Sequence, residues 1–285
     1  SLEGFVEGDY YLDLHDAVRE ARELSGNQYF SYTLDTENRH LTVDYGSTYI
    51  PDYAFGYSDS FDTVSIPSTV RSIGENAFEF TSLDAVIIPD SVTSIGSGAF
   101  SDNDDLVDVS LPNELSELAD YLFAYSPSVQ IVQWPEQLKL IGEDAFSSHN
   151  LETLDLPDTV ERIDDWAFES WVNQIPYGHL DLPESLTSIG YRAYSNLVGI
   201  QTVDIPAGVT EIGESAFEGT SITRVDLPSS FKTSLPIESF PAGTEFLIEG
   251  EIVQEGSQGP EFDYTLDEEA RHLIISEGVT TIPDE

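Results

Sequence analysis

Two short phrases recur along the 285-residue chain in a fixed order, and their spacing leaves few ways to fold. The first phrase is "IGENAF" at 73, "IGSGAF" at 95, "IGEDAF" at 141, "IDDWAF" at 163, "IGYRAY" at 189 and "IGESAF" at 212. The second is "VSIPSTV" at 64, "VIIPDSV" at 86 and "VSLPNEL" at 109, and it continues to "VDLPSSF" at 225. Its prolines, Pro67, Pro89, Pro112, Pro135, Pro157, Pro183, Pro206 and Pro228, lie 22, 23, 23, 22, 26, 23 and 22 residues apart. A unit this short cannot bury an apolar face alone, whereas units stacked in register build a continuous core. The chain is predicted to be a solenoid.

Each phrase has a mechanical reading. In "V-x-I-P" the alternation is that of a short strand with Val and Ile inward, and Pro ends it because it has no N–H for a ladder. The following "x-S/T-V/L-x-x-I" returns the chain along another wall. In "I-G-x-x-A-F" the Gly is expected at a tight bend, the Ala where backbones crowd, and the Phe as the filler of each coil. The two x positions face water. Three departures stand out: "LADYLF" at 118 lacks both Gly and Ala, Trp134 replaces Ile, and Asp164 replaces Gly. An insertion around "SWVNQIPYGH" (170–179) is expected to bulge one coil without breaking the stack.

The pattern "LxxVxIPxSVxxIGxxAF", over roughly residues 50–231, resembles the BspA-type leucine-rich repeat of bacterial surface proteins. The resemblance implies an α/β-type leucine-rich repeat solenoid, mostly short parallel strands with tight turns and little helix, of about eight 22–26-residue repeats. It also implies a secreted or cell-surface location and a non-catalytic role in binding or adhesion.

The ends read differently. Residues 1–29 form an N-terminal segment in which "DLHDAVREARELSG" (13–26) is predicted helical, with Asp13 as N-cap and Gly26 as stop. Residues 30–250 hold a capping hairpin ("FSYTLDTENRHLTVDYG") and the repeat array, and 251–261 a linker. At 262–285, "FDYTLDEEARHLIISEGVTTIP" repeats the hairpin phrase and starts a second array. The chain opens without methionine, as expected of a processed or excised piece whose signal peptide and anchor lie outside it.

Charge excludes several functions. With 54 acidic and 10 basic residues, the formal net charge is −44, which repels nucleic acid and anionic membrane surfaces. The 15 phenylalanines and 14 tyrosines argue against disorder despite that charge. Without cysteine there is no disulfide, thiolate or Cys-based metal site. No residues converge as a nucleophile, base and orienter, so no catalytic residue and no cofactor is assigned.

Isolated candidates reduce to architecture. His40 and His272 occupy the same place in the two hairpin phrases, and His149 and His179 fall in loops between phrases. "LPDTV" (156–160) looks like part of a cell-wall sorting signal but is one repeat copy. "SDNDD" (101–105) lacks the spacing of a calcium loop and reads as a solvated acidic turn, so cation binding has only weak support.

The outward column of the "VxIP" strands is more informative. It runs Ser65, Ile87, Ser110, Gln133, Asp155, Asp181, Asp204, Asp226, beside a second column of Thr63, Ala85, Asp108, Ile131, Thr153, His179, Thr202 and Arg224. Parallel stacking would place the four Asp residues ~4.8 Å apart, each neighbouring pair repelling by about 0.9 kcal/mol in bulk water. This face is the candidate ligand-binding surface. Its expected partner is a protein, basic or otherwise, or a host or extracellular-matrix component. The alternatives are a spacer that displays other domains, suggested by the restart at 262, and a glycan module, binding sugars through Trp171, Tyr177, Tyr191 or Tyr194 or hydrolysing them with two of the many carboxylates.

Overall fold

The computed structural model describes residues 29–129, 131–151, 153–170, 178–248, 250–254, 264–267 and 272–275. The predicted helix at 13–26, the linker residues 255–261 and most of the insertion at 170–179 lie outside them. Among the described residues there is no α-helix, only two 3-10 turns at Ser229–Thr233 and Ile237–Ser239. The chain winds as a three-walled solenoid, and each wall follows from one part of the repeat.

The first wall carries the "VxI" strands. The hairpin Tyr32–Asp35/His40–Val43 starts it, and Thr63–Ser65, Ala85–Ile87, Asp108–Ser110 and Ile131–Gln133 follow in parallel. A second block joins Gly178–Asp181, Ile200–Asp204, Arg224–Leu227 and Glu245–Ile248, with Glu251–Gln254 turned back antiparallel at its end. Val86, Val109, Leu180, Val203 and Val225 point inward and are buried. Each proline then opens a turn: its carbonyl accepts the N–H three residues on, as from Val70 to Pro67 and from Val92 to Pro89. Proline's missing donor is therefore no loss at this point.

Two-residue strands form the second wall, from Tyr49–Ile50 through Ser72–Ile73 to Ser94–Ile95, and from Glu117–Leu118 to Glu211–Ile212. Their second residues, such as Ile73, Ile141 and Ile163, face the core. The third wall is made by "xxAFxx". There the N–H of the second x, of Phe and of the residue two beyond Phe each reach the next coil's carbonyls. Asn76 to Ser97, Phe78 to Ala99 and Phe80 to Ser101 are one such set, at 3.0, 2.8 and 2.9 Å.

Filling the interior is a single column of rings. Phe55, Phe78, Phe100, Phe123, Phe146, Phe168, Tyr194, Phe217 and Phe240 stack face to face with centroids 4.9–5.8 Å apart. Phenylalanine recurs because each ring is the floor for the next. Tyr194 is the exception in chemistry: its ring is fully buried, and its hydroxyl has no hydrogen-bond partner among the described residues. That burial drives its pKa upward. An unpaired buried hydroxyl costs about 1–3 kcal/mol. Tyr194→Phe is therefore expected to stabilise the protein by about 1–2 kcal/mol, read as a raised midpoint in urea. A lowered midpoint would count against the assignment.

Two expectations need correction. The repeat Gly does not make the bend. A Cβ on Gly96 would lie 2.5 Å from the backbone nitrogen of Glu75, and one on Gly190 2.5 Å from the backbone nitrogen of Asp165. Glycine is there because the preceding coil passes too close for a side chain. The bend falls on the second x, where Asn76, Tyr121, Asp144, Trp166, Arg192 and Ser215 all have φ between 50 and 59°.

The second correction concerns the insertion. The second wall runs unbroken from Leu140–Ile141 to Arg162–Ile163 to Ser188–Ile189, and so does the ring column. On the first wall, however, the ladder stops at Gln133 and resumes only at Gly178, with a register irregularity between Gly178 and His179. The longest coil, 26 residues between Pro157 and Pro183, keeps its pairing to the next coil on the second and third walls. Residues 153–157 carry no strand, although Leu154 stays buried.

Candidate functional site

The outward column of the first wall divides at that gap. Ser65, Ile87 and Gln133 are exposed and Ser110 is half-buried; Ile87 is 74% exposed, an apolar side chain standing alone in water. Asp155 is exposed but sits on no strand, so the anticipated ladder of four aspartates has three members. Asp181 pairs with Asp204, and Asp204 with Asp226, in direct register. The side chains of Asp181 and Asp204 are 88% and 90% exposed.

His179, between phrases but also in the second outward column, lies on the strand beside the aspartates, in register with Thr202. Its Nε2 is 3.2 Å from Asp181 Oδ1 and 3.7 Å from Asp204 Oδ2, and its Nδ1 is 2.8 Å from Thr202 Oγ1. Whenever the ring is protonated it sits between two like charges and offsets their repulsion. His40 plays the same geometric part at the other end of the wall, 2.7 Å from Thr63 Oγ1 and 3.0 Å from Ser65 Oγ. Arg224 is engaged: its Nε lies 3.4 Å from Glu245 Oε2, its register partner. The ladder also has a closed end, since Asp226 is followed in register by the buried Leu247.

Sequence reading missed the chemistry of the third wall. The left-handed positions there carry Tyr53, Tyr57, Phe80, Tyr121, Tyr125 and Trp166, all but Trp166 exposed. Tyr57 stacks on Phe80 with centroids 5.6 Å apart, and the Tyr121 hydroxyl donates to Glu143 Oε1 at 2.9 Å. The signal was present in "PDYAFGY" and "ADYLFAY", where aromatics occupy turn positions usually given to small residues.

Buried polar groups turn out to be structural. Glu169 accepts from Ser195 Oγ at 3.0 Å and faces Arg192 Nη1 at 3.5 Å. Neighbouring Asp144 is pushed up to about 6, first by burial and further by nearby Glu143, Glu169 and Asp120, while a bond from Ser147 opposes the shift. His149 is fully buried and held by backbone groups. Among the described residues, no group of three or more His, Asp or Glu side chains is placed to hold a metal ion.

A three-walled coil with "VxIP" strands and a buried ring column defines the repeat class, and comparison with known proteins gives the family. The BspA type leucine rich repeat region matches residues 48–175 and 171–245, in six copies, and the chain belongs to this family. No curated protein matches the chain. Among solved structures, a leucine rich cell surface protein from Faecalibacterium prausnitzii is 21% identical with a TM-score of 0.41, over 74% of this chain and 59% of the other. This chain thus spans about three-fifths of that protein. The pneumococcal vaccine antigen PcpA is 16% identical with a TM-score of 0.43, over 79% and 71% of the two chains. A leucine rich repeat protein of T. pallidum is 19% identical with a TM-score of 0.31, over 70% and 69%.

Proposed function

We propose that the chain is a non-catalytic interaction module of a secreted or cell-surface bacterial protein, binding a basic protein segment along the first wall. The observation that carries this reading is the in-register, exposed column Asp181, Asp204 and Asp226. Carboxylates held at strand spacing on a rigid sheet meet a row of lysines or arginines on an extended ligand without reorganising first. The family membership supports a repeat scaffold without chemistry of its own.

The test is Asp181→Asn, Asp204→Asn and Asp226→Asn combined, against a panel of purified basic extracellular proteins. Three exposed ion pairs are worth about 0.2–1 kcal/mol each, so capture is expected to weaken about tenfold. Unchanged capture would remove the aspartates from the interface. Turnover of any polysaccharide would overturn the non-catalytic reading. A second reading, a spacer, is favoured by one observation: Tyr264–Asp267 pairs with His272–Ile275 in the register of the first hairpin, as a second array would begin. A spacer would bind none of the panel, with or without the substitutions.

A further inference from the structure

Left-handed backbone is costly for any residue with a Cβ, and large side chains rarely adopt it. Glycine, asparagine and aspartate accept it most readily. Several left-handed positions of the third wall obey that preference, with Asn76, Gly98, Asp102, Asp144, Asn196 and Gly219, while Ser148, Trp166, Arg192 and Ser215 depart from it. The fold therefore has a cheaper solution, and it uses it. Yet Tyr53, Tyr57, Phe80, Tyr121 and Tyr125 take these positions in the first coils, at φ 52–61°. Each projects an exposed ring from a turn whose backbone is already fixed to the next coil. The Tyr57 N–H donates to Glu79 O at 2.7 Å, that of Phe80 to Ser101 O at 2.9 Å and that of Tyr125 to Ser147 O at 2.9 Å. The rings are not filling the core, and the backbone bonds do not depend on them. Strain retained where the fold could relieve it points to use.

Charge identifies the occupant. Carboxylates lie beside the rings: Glu75 and Glu143 accept from the Tyr53 and Tyr121 hydroxyls, Glu79 from Tyr57, with Asp102 near Glu79 and Asp144 near Tyr121. Between Arg39 and Lys139 the sequence has one cationic residue, Arg71, and its guanidinium is turned to Ser68 O and Val70 O near the second wall. Aromatic faces beside unneutralised carboxylates favour a planar cation that stacks while its N–H groups reach oxygen, which describes the guanidinium better than the ammonium. We propose that the third wall of the first four coils docks an extended arginine-bearing segment of a protein partner, with Tyr57, Phe80 and Tyr125 as stacking platforms. This surface is separate from the aspartate ladder and does not rest on that reading.

The experiment uses the full chain with labelled hexa-arginine and hexalysine peptides, read by fluorescence anisotropy at physiological salt, where diffuse attraction to an acidic protein is screened. The wild type is expected to prefer hexa-arginine roughly fivefold. In the combined Tyr57→Asn, Phe80→Asn, Tyr125→Asn variant the net charge is unchanged, so the preference should fall to near parity. The melting temperature should stay level or rise by roughly 2–4 °C as backbone strain is relieved. Phe80→Asn alone, at a position that Asp102 and Asn196 fill in other coils, repeats the test with a smaller perturbation if the triple variant does not fold. The combined Asn substitution at Asp181, Asp204 and Asp226 should leave the arginine preference intact, which separates the two surfaces. Equal binding of both peptides by the wild type overturns the proposal. So does a preference that survives in the ring variants, or a large drop in melting temperature on Phe80→Asn. Tighter binding of a neutral oligosaccharide than of hexa-arginine would reassign the wall.

Discussion

Truncating Phe146 to alanine is expected to cost about 4 kcal/mol and to split the unfolding transition in two. The ring is fully buried, stacked on Phe123 at 5.4 Å and on Phe168 at 5.5 Å, with Trp134 edge-on at 5.3 Å. Removing it deletes the floor of one coil and the ceiling of another. Neither neighbour can close the gap, because each is held by its own inter-coil backbone bonds. In a solenoid, stability is nearly a sum of coil and neighbour terms, so a defect in the middle uncouples the two flanks. The same truncation at Phe240 should cost less, about 3 kcal/mol, and leave one transition. That ring stacks on one face only, against Phe217 at 4.9 Å, with Phe246 edge-on beyond it. Urea denaturation followed by circular dichroism, together with amide exchange, measures both quantities. Equal costs at the two sites, or one sharp transition for Phe146→Ala, would mean that the rings do not transmit stability along the stack.

Much of this architecture was legible because a solenoid repeats its constraints. Every coil must fill the same cross-section, so Phe78, Phe100, Phe146 and Phe217 recur, and so do Ala77, Ala99, Ala145 and Ala216 at the crowded position behind them. The failures share a cause: each depended on how two coils meet. Gly96 and Gly190 look like bend residues until the distance to the coil below is known. The loss of strand at Asp155 leaves no mark in the repeat phrase, which reads "LDLP" there as it does at 180. Arg224 found Glu245 through a strand lacking the repeat phrase. The aromatic wall was written in the sequence but concealed by a correct generalisation. Tyr53 and Tyr121 at the second x do face water, and so do Tyr57, Phe80 and Tyr125 two residues beyond the core ring. The left-handed backbone at both places, which makes a ring costly, was not visible.

Acid provides a second strong test, at a residue whose sequence context gave no sign of burial. His149 is enclosed with both ring nitrogens committed to the backbone. Nε2 must donate to Phe168 O at 3.2 Å, and Nδ1 must accept from the Leu151 N–H at 3.0 Å. Protonating Nδ1 would set a donor against a donor inside the protein. Burial accordingly lowers the pKa from 6.5 to about 4, with the bond to Phe168 opposing the shift. The unfolded chain takes up this proton near pH 6.5 and the native protein only near 4, so the stabilising contribution is complete above 6.5 and is lost as pH falls between these values. The full loss is about 3 kcal/mol. Asp144 works the other way in the same window, because its raised pKa of about 6 lets the native state gain a proton first. The readout is therefore a difference between two proteins. His149→Asn places a neutral amide where a buried asparagine, Asn103, sits two coils earlier. Between pH 7 and 4 the stability of the wild type should fall relative to this variant by about 3 kcal/mol. Parallel pH profiles for the two proteins would show that the imidazole is not kept neutral in the native state.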